Sequence, residues 1–244
     1  MASRPPFPEL LSLVESRSAA LREAAVDLTA RVPGCPGWTV RDLVTHLGRV
    51  QRFWASAVRA GEAAGPPAVP ADPSGELLTW FDESTPLLVD ALRAAGPGAP
   101  SWAWWPSSAA PLTAGAIARH QVQEAAVHAF DAQEAIGKPE PLPAAVAVDG
   151  VGEFLEVCLG SRGAWPHRPA RVELQALEGP SWTVDLSPAG VTVDPAASGA
   201  PVTRMQGRAS DLVLALYRRI DLADVRVDGD REVAEQIREW CVVD

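Results

Sequence analysis

The chain has 244 residues, of which 47% are hydrophobic and 21% charged, a balance typical of a globular protein with a sizeable core. Its formal net charge of -10 argues against a nucleic-acid partner and against an anionic membrane, since both are bound by basic surfaces. No apolar run approaches the length of a membrane span and no secretory signal pattern is present, so we expect a cytoplasmic protein.

The three cysteines, Cys35, Cys158 and Cys241, are scattered along the chain. Their separations match no metal-ligand spacing, and three residues cannot form a framework of paired disulfides. We therefore expect reduced thiols in or near the core.

The first helix is predicted over residues 8–31, where apolar residues recur at helical spacing without an internal proline or glycine. Two proline-containing turns follow in residues 32–38. Thr39 and Asp42 then predict the start of a second helix, because a hydroxyl and a carboxylate at this spacing can bind the free backbone N–H groups.

His46 lies on the core-facing stripe of this second helix. A histidine on an apolar face is either a core residue whose hydrogen bonds are satisfied or a metal ligand. The helix alone leaves both interpretations open. The apolar members of the stripe are Leu43, Leu47, Val50 and Trp54.

A third helix is predicted over residues 76–95. Pro86 should either bend this helix or mark its true start. A long loop over residues 96–113 contains Trp102, Trp104 and Trp105. Tryptophans in a loop either pack onto the domain surface or line a substrate pocket.

The fourth helix, predicted over residues 114–136, carries Glu124, His128 and Asp131 on one face. Glu124 and His128 are four residues apart, which is the spacing of half a metal site and also of an ordinary surface pair. Asp131 can orient His128 or Arg119, although a helix-surface carboxylate is the expected reading.

Four helices joined by two long connections predict a bundle, and bundles build their sites from side chains on facing helices. His46 of the second helix would then meet Glu124 and His128 of the fourth inside the bundle. Three such donors make an open zinc site.

Beyond residue 143 the pattern changes to a helix over residues 144–159 and then short alternating segments between glycine and proline turns. These predict short antiparallel strands at 171–177, 182–186 and 191–193. Further strands are predicted at 203–207 and 225–227, with helices at 210–218 and 230–240. We expect an α+β protein of two domains, a four-helix bundle at 1–138 and a small α+β domain at 143–244.

Three blocks resemble the mycothiol-dependent maleylpyruvate isomerase family of actinobacteria, and they occur in that family's order. They are the Gly-Trp-Thr-Val-Arg-Asp-Leu-Val-Thr-His-Leu run ending at Leu47, the Glu-Ala-Ala-Val-His-Ala-Phe-Asp run ending at Asp131, and the Ser-Asp-Leu-Val-Leu-Ala-Leu-Tyr-Arg-Arg run ending at Arg219. The resemblance implies a DinB-like metal-binding bundle followed by a sterol-carrier-like α+β domain.

The resemblance also places the family's metal ligands on His46, Glu124 and His128. Arg219 matches an arginine that the family directs to its active site, whereas a surface charge at a helix end is the alternative. The family's Leu-Trp-Gly-Arg motif reads Leu-Tyr-Arg-Arg here, with Arg218 in place of glycine.

The resemblance implies a mycothiol-using enzyme that isomerises an electrophilic small molecule from cis to trans. It also implies zinc or another divalent metal as cofactor and mycothiol as cosubstrate. A mycothiol S-transferase and a non-enzymatic zinc-binding or ligand-carrying protein are the alternatives. We expect a monomer or homodimer.

Two further histidines remain. His120 lies four residues before Glu124, which would let it approach the site, but a surface role is the expected reading. His167 lies in a turn and is expected to be exposed. The sequence has no phosphate-binding loop, serine nucleophile elbow or Cys-x-x-Cys pair.

Overall fold

The computed structural model describes residues 4–62, 65–71, 73, 75–194 and 199–241. The chain divides into two compact units. A helical unit is formed by Pro5–Trp104 with Pro111–Glu140, and a second unit by Trp105–Ala110 with the chain from Pro141 onward. Among the described helices, none is both long and apolar enough to span a membrane.

Four helices form the helical unit, as the sequence predicts. In this bundle α1 packs mainly on α4, and α2 packs mainly on α3. The core is apolar side chains from all four helices, with small alanines on the inner face of α4. The helices are α1 (Phe7–Ala24), α2 (Val40–Ala60), α3 (Leu77–Ala95) and α4 (Ala114–Ala135).

Two helix boundaries differ from those that the pattern predicts. The first helix ends at Ala24 rather than at residue 31. The Asp27 carboxylate accepts hydrogen bonds from the backbone N–H and the hydroxyl of Thr29, so it stabilises a turn in place of another helical turn. The reading of Pro86 as the start of the third helix is wrong, because α3 begins at Leu77 and contains Pro86 in its interior.

The predicted start of α2 is confirmed. The Thr39 side chain accepts from the backbone N–H of Asp42, and the Asp42 carboxylate accepts from the backbone N–H of Thr39. This reciprocal capping fixes the first turn of the helix that carries His46.

The second unit is a five-stranded sheet with helices, and this confirms the α+β class. Its sheet has the order β3-β2-β1-β4-β5. Its helices are α5 (Ala144–Glu153), which continues as a π-helix over Phe154–Leu159, α6 (Ala209–Leu216) and α7 (Arg231–Trp240). Its strands are β1 (Ala170–Ala176), β2 (Ser181–Ser187), β3 (Gly190–Val193), β4 (Thr203–Gly207) and β5 (Arg226–Gly229).

The expectation that the first three strands are antiparallel is confirmed, because β2 pairs antiparallel with both β1 and β3. Strands β1 and β4 run parallel, with Leu174 opposite Met205, whereas the other neighbouring strands are antiparallel. Alternating apolar residues identify a strand and its buried face, but they do not identify its partner. The sequence signal therefore located the strands without fixing how β4 joins the sheet.

Helix α6 ends in a Schellman motif. The backbone N–H of Arg219 donates to the Leu214 carbonyl at 2.8 Å, and that of Arg218 donates to the Ala215 carbonyl at 3.0 Å. Arg218 has a φ of 64°, in the left-handed region that favours glycine. The motif thus forms here with arginine at a position that strains the backbone of any residue with a Cβ.

Replacing Arg218 by glycine is expected to stabilise the fold by about 1 kcal/mol, because the steric cost of the left-handed conformation disappears. Thermal unfolding should then shift upward by about 2–4 °C for a chain of this size. The matched control is Arg218→Ala, which removes the charge but keeps the Cβ and should give no gain. An equal gain from alanine would show that charge, not backbone strain, sets the effect.

Candidate metal centre

The helical unit brings His46 of α2 together with Glu124 and His128 of α4. The His46 Nε2 atom lies 2.9 Å from Glu124 Oε1, and the His128 Nε2 atom lies 3.5 Å from the same oxygen. The two imidazole rings meet edge to face, with centroids 5.0 Å apart. One carboxylate oxygen therefore faces the two nitrogens that a shared metal ion would use.

Packing of both helices positions these side chains. On α2, His46 is bracketed by Leu43 and Leu47, which are fully buried in the bundle core. On α4, Ala125 and Ala129 occupy the core-facing positions, and their small side chains let the helix backbone approach its neighbours closely. The apolar stripe thus fixes the face from which the three polar groups project.

The site is buried on one side and partly open on the other. The His128 side chain is 1% exposed, while those of His46 and Glu124 are 24% and 15% exposed. A small molecule can therefore reach the carboxylate side of the cluster. This asymmetry is what an open coordination position requires.

Asp131 supports His128 from behind. Its Oδ2 lies 2.8 Å from His128 Nδ1, and the carboxylate is fully buried. The expectation that Asp131 is a helix-surface carboxylate is wrong, because the face three residues beyond His128 points into the unit. With Nδ1 donating to Asp131, the His128 Nε2 atom is left for a metal, which is the usual arrangement of a carboxylate behind a ligating histidine.

Two residues near the centre were missed by sequence reasoning. Cys35 donates a hydrogen bond from Sγ to Asp131 Oδ2 at 3.5 Å, and the Trp38 ring lies 5.0 Å from the ring of His46. Both come from residues 32–38, which precede α2. The position of this turn directly before the His46 helix was the available signal. The three cysteines are buried and form no disulfide, which fits the expectation of reduced thiols in or near the core.

The electrostatics of the cluster favour a carboxylate beside an imidazolium when only protons are bound. Burial alone would raise the pKa of Glu124, but hydrogen bonds to His128 and His46 hold it well below its usual 4.5. Burial alone would lower the pKa of His128, but hydrogen bonds to Asp131 and Glu124 raise it from 6.5 to about 9. A metal ion at this site would replace the proton on His128 Nε2.

The donor set fits a divalent cation. One ligand atom from each of His46, Glu124 and His128 lies within 4.8 Å of the others, close enough to converge on one ion. Two imidazoles and one carboxylate are nitrogen and oxygen donors that zinc accepts, and three protein ligands leave room for a fourth. Among the described residues, Cys35, His128 and Asp131 also offer ligand atoms that lie within 4.8 Å of one another.

The structure confirms the prediction for His167 and corrects the prediction for His120. His167 is exposed as expected, beside Trp165. The surface assignment of His120 is wrong, because it is 7% exposed and packs edge-on against Trp54 and Trp104. Trp54 of α2 and Trp104 of the loop before α4 supply the cover that the pattern of α4 alone could not reveal.

Arg219 is buried in the structure. It is 8% exposed, and its guanidinium donates to the Tyr217 carbonyl at 2.8 Å. The alternative of a surface charge is therefore wrong. A catalytic role for Arg219 stays a prediction.

Fold and donor group together define a protein whose four-helix unit carries a partly buried His/Glu/His cluster with the donors for a divalent cation, followed by an α+β unit. The family model described as "Mycothiol maleylpyruvate isomerase N-terminal domain" matches residues 11–133. The model described as "MDMPI C-terminal domain" matches residues 145–236. The chain belongs to the mycothiol maleylpyruvate isomerase family.

Solved structures show the same fold. A crystal structure of the mycothiol-dependent maleylpyruvate isomerase aligns with a TM-score of 0.58 at 16% identity, covering 93% of this chain and 95% of that one. A histidine-to-alanine mutant of the isomerase aligns with a TM-score of 0.60 at 15% identity over the same shares. No curated protein sequence gives a match.

Proposed function

We propose that this protein is a metal-dependent enzyme that uses mycothiol to convert an electrophilic small molecule from its cis to its trans isomer. The observation that carries the proposal is the convergence of His46, Glu124 and His128 within 4.8 Å. Membership of the mycothiol maleylpyruvate isomerase family supports both the thiol and the reaction class. Zinc suits the donors best, and another divalent ion with the same ligand preferences would serve.

The metal centre would activate the thiol. A thiol with a pKa near 8.5 is mostly protonated at neutral pH, and a bound divalent cation would favour its thiolate form. The chain contributes two neutral imidazoles and one carboxylate, a set that leaves a net positive charge for an incoming anion. Asp131 holds the His128 ring in place through Nδ1, and the partly exposed side of Glu124 and His46 admits the thiol.

The thiolate would then act as a reversible nucleophile. Its sulfur forms a bond to one carbon of a cis double bond conjugated to a carbonyl, and the π electrons move onto the carbonyl oxygen. Rotation about the resulting single bond and expulsion of the same thiolate restore the double bond in the trans form. The thiol is thereby recovered. Arg219 is proposed to bind a substrate carboxylate, which a guanidinium can hold through two hydrogen bonds.

The test supplies zinc-loaded protein with mycothiol and a cis electrophile such as maleylpyruvate. We expect the cis compound to disappear and its trans isomer to appear while the thiol concentration stays constant. Loss of thiol in equal amount would establish an S-transferase instead. Retention of the ligand without turnover would establish a carrier, and both outcomes contradict the proposed isomerase. The control is Arg219→Ala, expected to raise KM for a carboxylate-bearing electrophile.

The same proposal assigns the protein to the cytoplasm. Three cysteines that form no disulfide and a low-molecular-weight thiol cosubstrate fit a reducing compartment. The electrophile and the thiol are then its small-molecule partners.

A further inference from the structure

The turn formed by residues 32–38 is closed by its own backbone hydrogen bonds. The Val32 N–H donates to the Trp38 carbonyl at 3.1 Å, the Cys35 N–H to the Val32 carbonyl at 3.2 Å, and the Trp38 N–H to the Cys35 carbonyl at 2.9 Å. A bridge between Arg31 and Thr39 closes its base. The side chains of this turn are therefore held in defined positions directly before the first residue of α2.

Cys35 contacts Asp131, the carboxylate that is hydrogen-bonded to the candidate metal ligand His128. It is 8% exposed, and its Sγ–H donates to Asp131 Oδ2. The same oxygen accepts from His128 Nδ1 at 2.8 Å. A fully buried carboxylate is oriented by the donors around it. Cys35 and His128 therefore hold Asp131 from two sides.

Trp38 packs against the ligands themselves. Its ring centroid lies 5.0 Å from that of His46 and 6.3 Å from that of His128. A bulky ring at this distance restricts rotation of both imidazoles. The turn of residues 32–38 thus contacts His46 and His128 through Trp38. Through Cys35 it contacts Asp131, the carboxylate behind His128.

We propose that the turn of residues 32–38 is a positioning element of the metal centre, and that Cys35 is a positioning residue acting through Asp131 on His128. This inference rests on the proposed metal site but not on the thiol reaction. Cys35 donates a weak hydrogen bond that fixes the acceptor of His128 Nδ1, and so it keeps His128 Nε2 aimed at the ion.

The test titrates metal-free protein with Co²⁺ and records its visible absorption, which reports the geometry of the bound ion. Cys35→Ala should weaken Co²⁺ binding about two- to fivefold, the loss of one weak hydrogen bond. Asp131→Ala should weaken it about 10–100-fold, as for other groups behind a metal ligand. In the Asp131→Ala background, Cys35→Ala should have no further effect, because its acceptor is gone. Cys35→Ser keeps a donor and should restore most of the affinity and the visible spectrum.

Several results would overturn the inference. Unchanged affinity and spectrum in Cys35→Ala would remove Cys35 from the centre, and an equal loss with and without Asp131 would show a general packing effect. A sulfur-to-cobalt charge-transfer band that depends on Cys35 would make it a ligand. The matched control is Cys158→Ala, which alters a buried cysteine of the other unit and should bind Co²⁺ normally. Failure of the unaltered protein to bind Co²⁺ would refute the metal site itself.

Discussion

Substitution of His46 by alanine should reduce affinity for a divalent cation by about two to three powers of ten. Structural zinc sites with four ligands bind with roughly 10–16 kcal/mol, so one ligand is worth about 3–4 kcal/mol. In the proposed site His46 is the ligand from α2, and its loss would leave only Glu124 and His128 of the described candidate ligands. Metal content after dialysis against a competing chelator measures the effect directly.

The control for this substitution is His167→Ala. His167 is an exposed histidine of the other unit, so its loss should leave metal content unchanged. Thiol-dependent turnover should fall with metal content in His46→Ala. Full metal occupancy in that variant would remove His46 from the site and with it the convergence of the two helices on one ion.

A strong pH dependence of metal affinity is the second large effect that we expect. The pKa of His128 is raised to about 9, so its Nε2 is protonated through most of the neutral range. A metal must displace that proton, and apparent affinity therefore falls as pH decreases below 9. Between pH 8 and pH 6 the fall from this group should be about a hundredfold, against about fourfold for a histidine of pKa 6.5.

Calorimetric or spectroscopic titrations at several pH values would measure this dependence. The Glu124 carboxylate contributes little, because its lowered pKa keeps it ionised throughout the range. Asp131→Asn removes an anionic partner of His128 and should flatten the curve. A dependence as shallow as that of an ordinary histidine in the unaltered protein would contradict the raised pKa.

Local sequence signals predicted most helices well, since helical spacing and capping are properties of neighbouring residues. Thr39 and Asp42 located the start of α2 because both capping partners lie within one turn. The parallel pairing of β1 with β4 depends on residues about thirty positions apart, such as Glu173 and Arg204. Alternation carries no information about such partners, and the pairing was therefore missed.

The candidate metal ligands could be predicted because each lies on a recognisable helical stripe, and the family resemblance selected the same residues. What supports them could not be predicted in the same way. Asp131 was read as a surface residue because the stripe through Glu124 and His128 does not show how far the buried face extends. Cys35 contacts Asp131 across 96 residues of sequence, a distance at which spacing rules are silent.

The separation of the ligands along the chain has a consequence for folding. His46 and Glu124 are in contact although they are 78 positions apart in the sequence. An ion bound by both residues would act as a reversible cross-link. In the chain-entropy model, a cross-link that closes a loop of this size in the unfolded chain stabilises the fold by about 4 kcal/mol. Removing the ion with a chelator should therefore destabilise this bundle, as a reductant destabilises a disulfide-bonded protein.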